Sequence, residues 1–379
     1  MRAFFDSKNR QNEVSSKGPV QNLTALTSLC FFAALFVVIH HIAEAGNKIY
    51  LIQVIGQFGW LGVSFFFILS GFVLMWSFDS RMTPSKYILR RLSRIYPLHF
   101  VCLTICLLLF FKTGHVFGGY PGSIAGTLAN FLLVHDWIPG HPNIRQAWNG
   151  VSWTLSCEFF FYLIAPFCFP TLARIGWGKA AWVVAAAWLG FLALLVAANA
   201  EHRQNFLDLC FYNPLSRSGE FILGAIGAQW LKTGLRFTSP LGAVVLMTVP
   251  ILLYCDYVPE PFQCSNVIDM LFIPGAFLLI IAIAGNQTDG LTSWLNRRMF
   301  VLLGDSSFAL YMIHAIILGI FTVYAKKYFS STFYQSTQFE LFFVSFFCAV
   351  TVLFSILVHL KFELPTRDKL LKILARHSA

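Results

Sequence analysis

Leu23-Thr-Ala-Leu-Thr-Ser-Leu-Cys30-Phe-Phe-Ala-Ala-Leu-Phe-Val-Val-Ile-His40-His41-Ile-Ala43 is the stretch that decides the fold of this chain. It runs without one Asp, Glu, Lys or Arg, and a helix over it reaches the roughly 20 residues needed to cross the hydrocarbon of a bilayer. Similar apolar runs recur as far as Leu360. Of the 379 residues, 57% are hydrophobic and 12% charged, where a soluble domain carries roughly a quarter charged. The reading is an all-α, polytopic helical membrane protein with about ten transmembrane helices. They are expected over 23–43, 54–77, 95–112, 151–171, 180–200, 214–231, 239–256, 267–285, 301–323 and 338–360. Forty-one phenylalanines and ten tryptophans suit lipid-facing surfaces and interfacial belts.

The net charge of +10 reports topology rather than a nucleic-acid partner. With the N-terminus inside, most basic residues, Arg81, Arg90, Arg91, Arg94, Arg297, Arg298 and Arg367 among them, fall on the cytoplasmic side, a positive-inside pattern that puts both termini in the cytosol. Residues 123–137 are apolar but short for a span. Counting them as a crossing would turn the basic C-terminus outward, so they read as a re-entrant or interfacial segment. The chain divides into a polar, disordered cytoplasmic tail over 1–22, one membrane domain over 23–362 and a basic cytoplasmic tail over 363–379. The loop 138–150, dense in Pro, Gly and polar residues, is expected to roof a cavity. The nine cysteines show no zinc spacing and suggest no metal site, and a disulfide between Cys255 and Cys264 stays open.

Charge in or beside hydrocarbon is expensive, so the embedded polar groups are where function is sought. His41 is either a wetted histidine at a helix end or a general base inside the membrane. Arg90, Arg91 and Arg94 precede Ile95-Tyr-Pro97. They are either a topogenic cluster or, as forks ahead of a helix-starting Pro97, a phosphate site facing the cytosol. Glu158, in Trp153-Thr-Leu-Ser-Cys-Glu158, is either a working carboxylate or the structural ion-pair partner of Arg217 or another buried donor. Arg217 and Glu220 stand at i,i+3 and read more readily as a structural pair. Ser64, Ser70 and Gly71 are small residues of the kind that let helices approach closely. His314 is an embedded imidazole suited equally to packing and to a site, and His359, Glu363 and Pro365 read as a cap closing the last helix.

Five stretches occur in register: Phe65-Phe-Phe-Ile-Leu-Ser-Gly-Phe72, Arg90-Arg-Leu-Ser-Arg-Ile-Tyr-Pro97, Trp153-Thr-Leu-Ser-Cys-Glu158, Arg217-Ser-Gly-Glu-Phe-Ile-Leu-Gly224, and Leu303-Gly-Asp-Ser-Ser-Phe308 through His314. Together they resemble the acyltransferase family 3 membrane proteins, over roughly residues 23–370. That resemblance implies an O-acyltransferase of the bacterial inner membrane, most simply an O-acetyltransferase. By the same likeness His41 would be the essential histidine and Glu158 the acid of the tryptophan motif, a candidate to orient His41. Arg91 and Arg94, with Arg90 beside them, would bind the donor, and Trp153, Arg217, Glu220, Ser70 and His314 would support the site. Cys30 stands where the family usually has an arginine. The resemblance implies acyl-CoA (acetyl-CoA) as a co-substrate with no permanently bound cofactor, a glycan or glycolipid acceptor, and contact with membrane lipid. It leaves homo-oligomerisation open. The competing class is a multi-span transporter or flippase, which would leave the Arg-x-x-Arg pair without a special role.

Overall fold

The computed structural model describes residues 23–137, 142–234, 236–258, 264–286, 290–328 and 336–376. The expected disordered tail over 1–22 lies outside them, as does part of the expected roof loop. Among the described residues every regular element is helical, and an isolated bridge between Tyr120 and Ala147 is the β-type pairing present.

In chain order the elements used below are α1 (Thr24–Glu44), α2 (Tyr50–Gly56), α3 (Leu61–Trp76), α4 (Pro84–Thr113), α5 (Ile124–Phe131), α6 (Trp153–Ile175), α7 (Trp177–Ala200), α8 (Gln204–Tyr212), α9 (Pro214–Lys232), α10 (Pro240–Tyr257), α11 (Ser265–Gly285), α12 (Arg298–Asp305), α13 (Ser307–Tyr328), α14 (Thr337–Val358) and α15 (Leu364–Arg376). Several start where the sequence marks a start. Thr83, Asn213 and Ser239 each cap a helix whose next residue is proline, so the N–H that proline lacks is one no helix would have bonded.

Among the described residues, eight helices are long and apolar enough to cross a membrane, nine if α2 and α3, bent by 42°, form one span. The tenth expected span is α9, which is helical over Pro214–Lys232 but carries Arg217, Glu220 and Lys232 on a short apolar stretch. Its charges, not its fold, separate it from the rest. It packs against α3 at backbone distance: a Cβ on Gly71 would collide with the Phe221 carbonyl, and one on Gly224 with that of Ile68. Small residues at this crossing thus have the packing role expected of them. By contrast α7 and α10 bury few side chains and present Trp182, Val183, Leu252 and Leu253 outward, as lipid-facing helices do.

Two expectations about helix limits are corrected. Pro97 does not start a helix. It sits inside α4, which starts at Pro84, so Arg90, Arg91 and Arg94 lie on helix rather than ahead of it. Nor does the last helix close at Pro365. Val358 leads into a π-helical turn over His359–Glu363, where His359 Nδ1 and a Glu363 carboxylate oxygen lie 2.9 Å apart, and α15 continues to Arg376. Pro365 falls where the π-helical turn passes into α15, and the helix runs on through it.

Residues 123–137 enter and return. The Tyr96 hydroxyl bonds the Phe131 carbonyl at 3.1 Å, and His99 meets that of Asn130 at 3.0 Å, so the end of α5 lies beside the α4 turn that follows Arg94. The returning chain pairs with the incoming one through Tyr120 N–H to Gln146 O (2.9 Å), Trp148 N–H to Tyr120 O (2.8 Å) and Gly150 N–H to Gly118 O (2.7 Å). These bonds satisfy backbone that neither a helix nor lipid could satisfy. Cys255 and Cys264 are free thiols.

Candidate functional site

A cavity of about 120 Å³ opens between α1, α3, α4, α6 and α13. Its walls are largely apolar, with Phe66, Phe67 and Leu155 among them, and its polar groups gather at Arg94, Ser70, Glu158 and Tyr162. The Ser70 hydroxyl donates to a Glu158 carboxylate oxygen at 3.1 Å. Tyr162, one helical turn along α6, hydrogen-bonds the same carboxylate, and Arg91 and Arg94 act on it electrostatically. Arg94 lines the cavity, whereas the Arg91 guanidinium lies 5.2 Å from the Tyr87 ring centroid and Arg90 is exposed. One helix turn thus presents three cations in graded environments, from cavity wall to surface. Cys30 lines the cavity too, within electrostatic reach of Arg94.

Tyr311 forms part of the cavity wall. Its hydroxyl donates to the Val151 carbonyl (3.0 Å) and accepts from Thr154 (3.1 Å), which locks the ring in place. Its ring centroid lies 5.9 Å from that of His314, and His314 Nε2 lies 3.2 Å from His41 Nδ1. The two embedded histidines that the sequence singled out therefore meet, although 273 positions separate them. His40 turns elsewhere: its Nδ1 meets the Gly56 carbonyl at 2.8 Å and its Nε2 lies 3.5 Å from Glu44. The expected partnership of Glu158 with His41 is corrected, because the structure gives the two groups different neighbours: Ser70 and Tyr162 for Glu158, Val37 and His314 for His41.

A second polar cluster sits behind Phe67. Arg217 pairs with Glu220 at 2.9 Å and with Asp269, and Ser64 bonds both Asp269 and, at 3.0 Å, an Arg217 nitrogen. The guanidinium also lies 5.4 Å from the Phe67 ring centroid and 5.2 Å from that of Phe211. The Arg217–Glu220 pair is as expected, but Arg217's other partner is Asp269, not Glu158. Trp153 is buried edge-on against Phe67 and Tyr212 and does not line the cavity.

Sequence reasoning passed over Tyr162, Tyr311 and Asp269. Asp269 carried the signal that flagged Glu158, a lone acid in an apolar run. The tyrosines carried none, since aromatic residues pervade this chain.

A profile of the acyltransferase-3 family, described as an acyltransferase domain, matches residues 25–360. The chain belongs to that family. Among its relatives is the acyltransferase MdmB of Streptomyces mycarofaciens, 33% identical over 321 residues, which make up 79% of this chain and 80% of that protein. Another is the exopolysaccharide production protein ExoZ of Rhizobium meliloti, 27% identical over 276 residues, 69% of this chain and 77% of that protein. No solved structure matches the chain. The protein is an integral membrane acyltransferase, and its reaction requires an acyl donor as co-substrate.

Proposed function

We propose that this acyltransferase moves an acyl group, most simply acetyl, from cytoplasmic acyl-CoA to a hydroxyl of a cell-surface polysaccharide or glycolipid. His41 is the general base. The observation that carries the reading is the cavity with Arg94, Glu158, Ser70 and Tyr311 on its wall, and behind Tyr311 the His314–His41 pair, which packs against that wall without lining it. A guanidinium at the mouth suits the phosphates of an acyl-CoA, with Arg91 and Arg90 extending the positive surface outward. An apolar bore suits the acyl arm and keeps water from a reactive thioester. A relative named for exopolysaccharide production supports a glycan acceptor.

In this reaction the acceptor oxygen attacks the thioester carbonyl while His41 takes its proton. As the carbon–sulfur bond breaks, the imidazolium returns that proton to the departing CoA thiolate. Glu158, with its Ser70 and Tyr162 donors, belongs to the donor end and orients Arg94. Arg217, Glu220 and Trp153 support the wall from behind Phe67. The membrane is the bacterial inner membrane, with both termini in the cytosol and the acyltransferase domain over 23–362 between two tails.

Transfer of radiolabel from acetyl-CoA to envelope glycans tests the reading, comparing wild type with His41→Ala at matched expression. Label is expected with wild type and reduced about 10²- to 10⁴-fold in the variant. Label retained in full by His41→Ala would remove His41 from the reaction.

A further inference from the structure

Three contacts fix how the two embedded imidazoles carry their protons. His41 Nδ1 lies 2.9 Å from the Val37 carbonyl oxygen, His314 Nδ1 lies 3.2 Å from that of Leu310, and His314 Nε2 lies 3.2 Å from His41 Nδ1. A carbonyl oxygen only accepts, so each Nδ1 must hold a hydrogen to keep the first two bonds. A neutral imidazole has a single N–H, so His314 Nε2 is then a lone pair, and it accepts a share of the His41 Nδ1 hydrogen. All three contacts are satisfied at once. The opposite arrangement, His314 donating from Nε2 into a bare His41 Nδ1, keeps one bond and sets two lone pairs against carbonyl oxygens. Both carbonyls belong to residues one turn back on the same helix, so the backbones of α1 and α13 dictate the choice.

We propose that His314 is a positioning residue that holds His41 in its Nδ1–H tautomer, leaving Nε2, on the far edge of the ring, as the basic atom. The inference rests on His41 being the general base, and it names the atom and the partner that make it one. When Nε2 takes the hydroxyl proton of the acceptor, Nδ1 keeps its hydrogen and the His314 lone pair faces an imidazolium, a charge-assisted contact. His314 is fully buried and acts through His41. His40 has no such part, because its two nitrogens are engaged with Gly56 and Glu44.

The test uses the full chain in nanodiscs, labelled with ¹⁵N-histidine, the His41 signals being assigned by their loss in His41→Gln. In the unprotonated wild type, His41 is expected to show a protonated Nδ1 and a bare Nε2. His314→Gln, whose side-chain oxygen accepts at similar reach, keeps that signature and most of the turnover. His314→Phe keeps the ring but offers no acceptor. It mixes the tautomers and lowers kcat for transfer from radiolabelled acetyl-CoA about 10- to 100-fold, with KM within about twofold. A wild-type His41 with a bare Nδ1 overturns the proposal whatever the activity. So does a His314→Phe variant that raises KM and leaves kcat alone. Failure of the base assignment looks different: His41→Ala turns over like wild type while the ¹⁵N signature stands.

Discussion

Two clusters in this bundle join arginine to carboxylate, and they differ in one respect. Around Arg217 everything is closed: Ser64, Arg217, Glu220 and Asp269 are all buried, with aromatic rings over the guanidinium. Around Arg94 the groups face a cavity, Arg94, Ser70 and Glu158 half-buried, and Glu158 is held by two hydroxyls rather than by a buried ion pair. Embedded charge alone therefore does not mark a working site. Charge beside a cavity does, because a ligand phosphate or carbonyl has room to reach it. A cluster buried on every side gives a ligand no way in.

The comparison breaks most plainly at Asp269. Asp269→Ala leaves a buried guanidinium short of a partner and is expected to cost about 3–5 kcal/mol of stability. Thermal unfolding in detergent reads this as a lowered midpoint, and the folded fraction should keep its KM for acetyl-CoA. A wild-type midpoint would mean the closed cluster does not hold the bundle together. Arg94→Ala is expected to do the reverse. Loss of a charge-assisted contact to donor phosphate raises KM for acetyl-CoA about tenfold, roughly 1.4 kcal/mol, with the midpoint little changed. If Arg94→Ala collapsed the fold and spared KM, the two clusters would be one structural network.

The same contrast explains what could be read from the sequence. The spans were legible because hydrocarbon disfavours charge, and α1 up to Ala43, α4 from Ile95 to Phe111 and α7 from Ala180 onward announce themselves by its absence. The sequence also offers 214–231 as a span, but Arg217 and Glu220 keep α9 out of the set of helices apolar enough to cross. His41, Arg94, Glu158 and His314 were legible as polar groups in apolar runs. Their partners were not, because pairing across a bundle depends on helix rotation and on which faces small residues such as Gly71 and Gly224 bring together. Hence the sequence pairs Glu158 with His41, holds Arg217 open as another partner for Glu158, and finds only the local Arg217–Glu220 pair. Ser70 and Tyr162 completed one cluster, and Asp269 the other. Pro97 misled for a related reason: a proline ends a helix in water, but inside a bundle its freed carbonyl can be satisfied locally and the helix runs on.

The smallest effects give the sharpest comparison, because each cluster contains a serine on α3. Ser64 bonds Asp269 and Arg217 in a closed space, so Ser64→Ala exposes neither group to water and strands part of both. The cost is expected near 1–3 kcal/mol, read as a lowered unfolding midpoint with KM unchanged. Ser70 gives Glu158 one of two hydroxyl bonds at a cavity wall, where water can replace it and Tyr162 remains. Ser70→Ala is therefore expected to cost less than about 1 kcal/mol of stability and to shift acetyl-CoA KM only a few-fold. The two serines stand six positions apart on one helix, so intrinsic helix propensity is matched between the variants. A stability loss at Ser70 equal to that at Ser64 would show that the cavity wall is as closed as the cluster behind Phe67, and the distinction between charge that works and charge that holds would fail at this site.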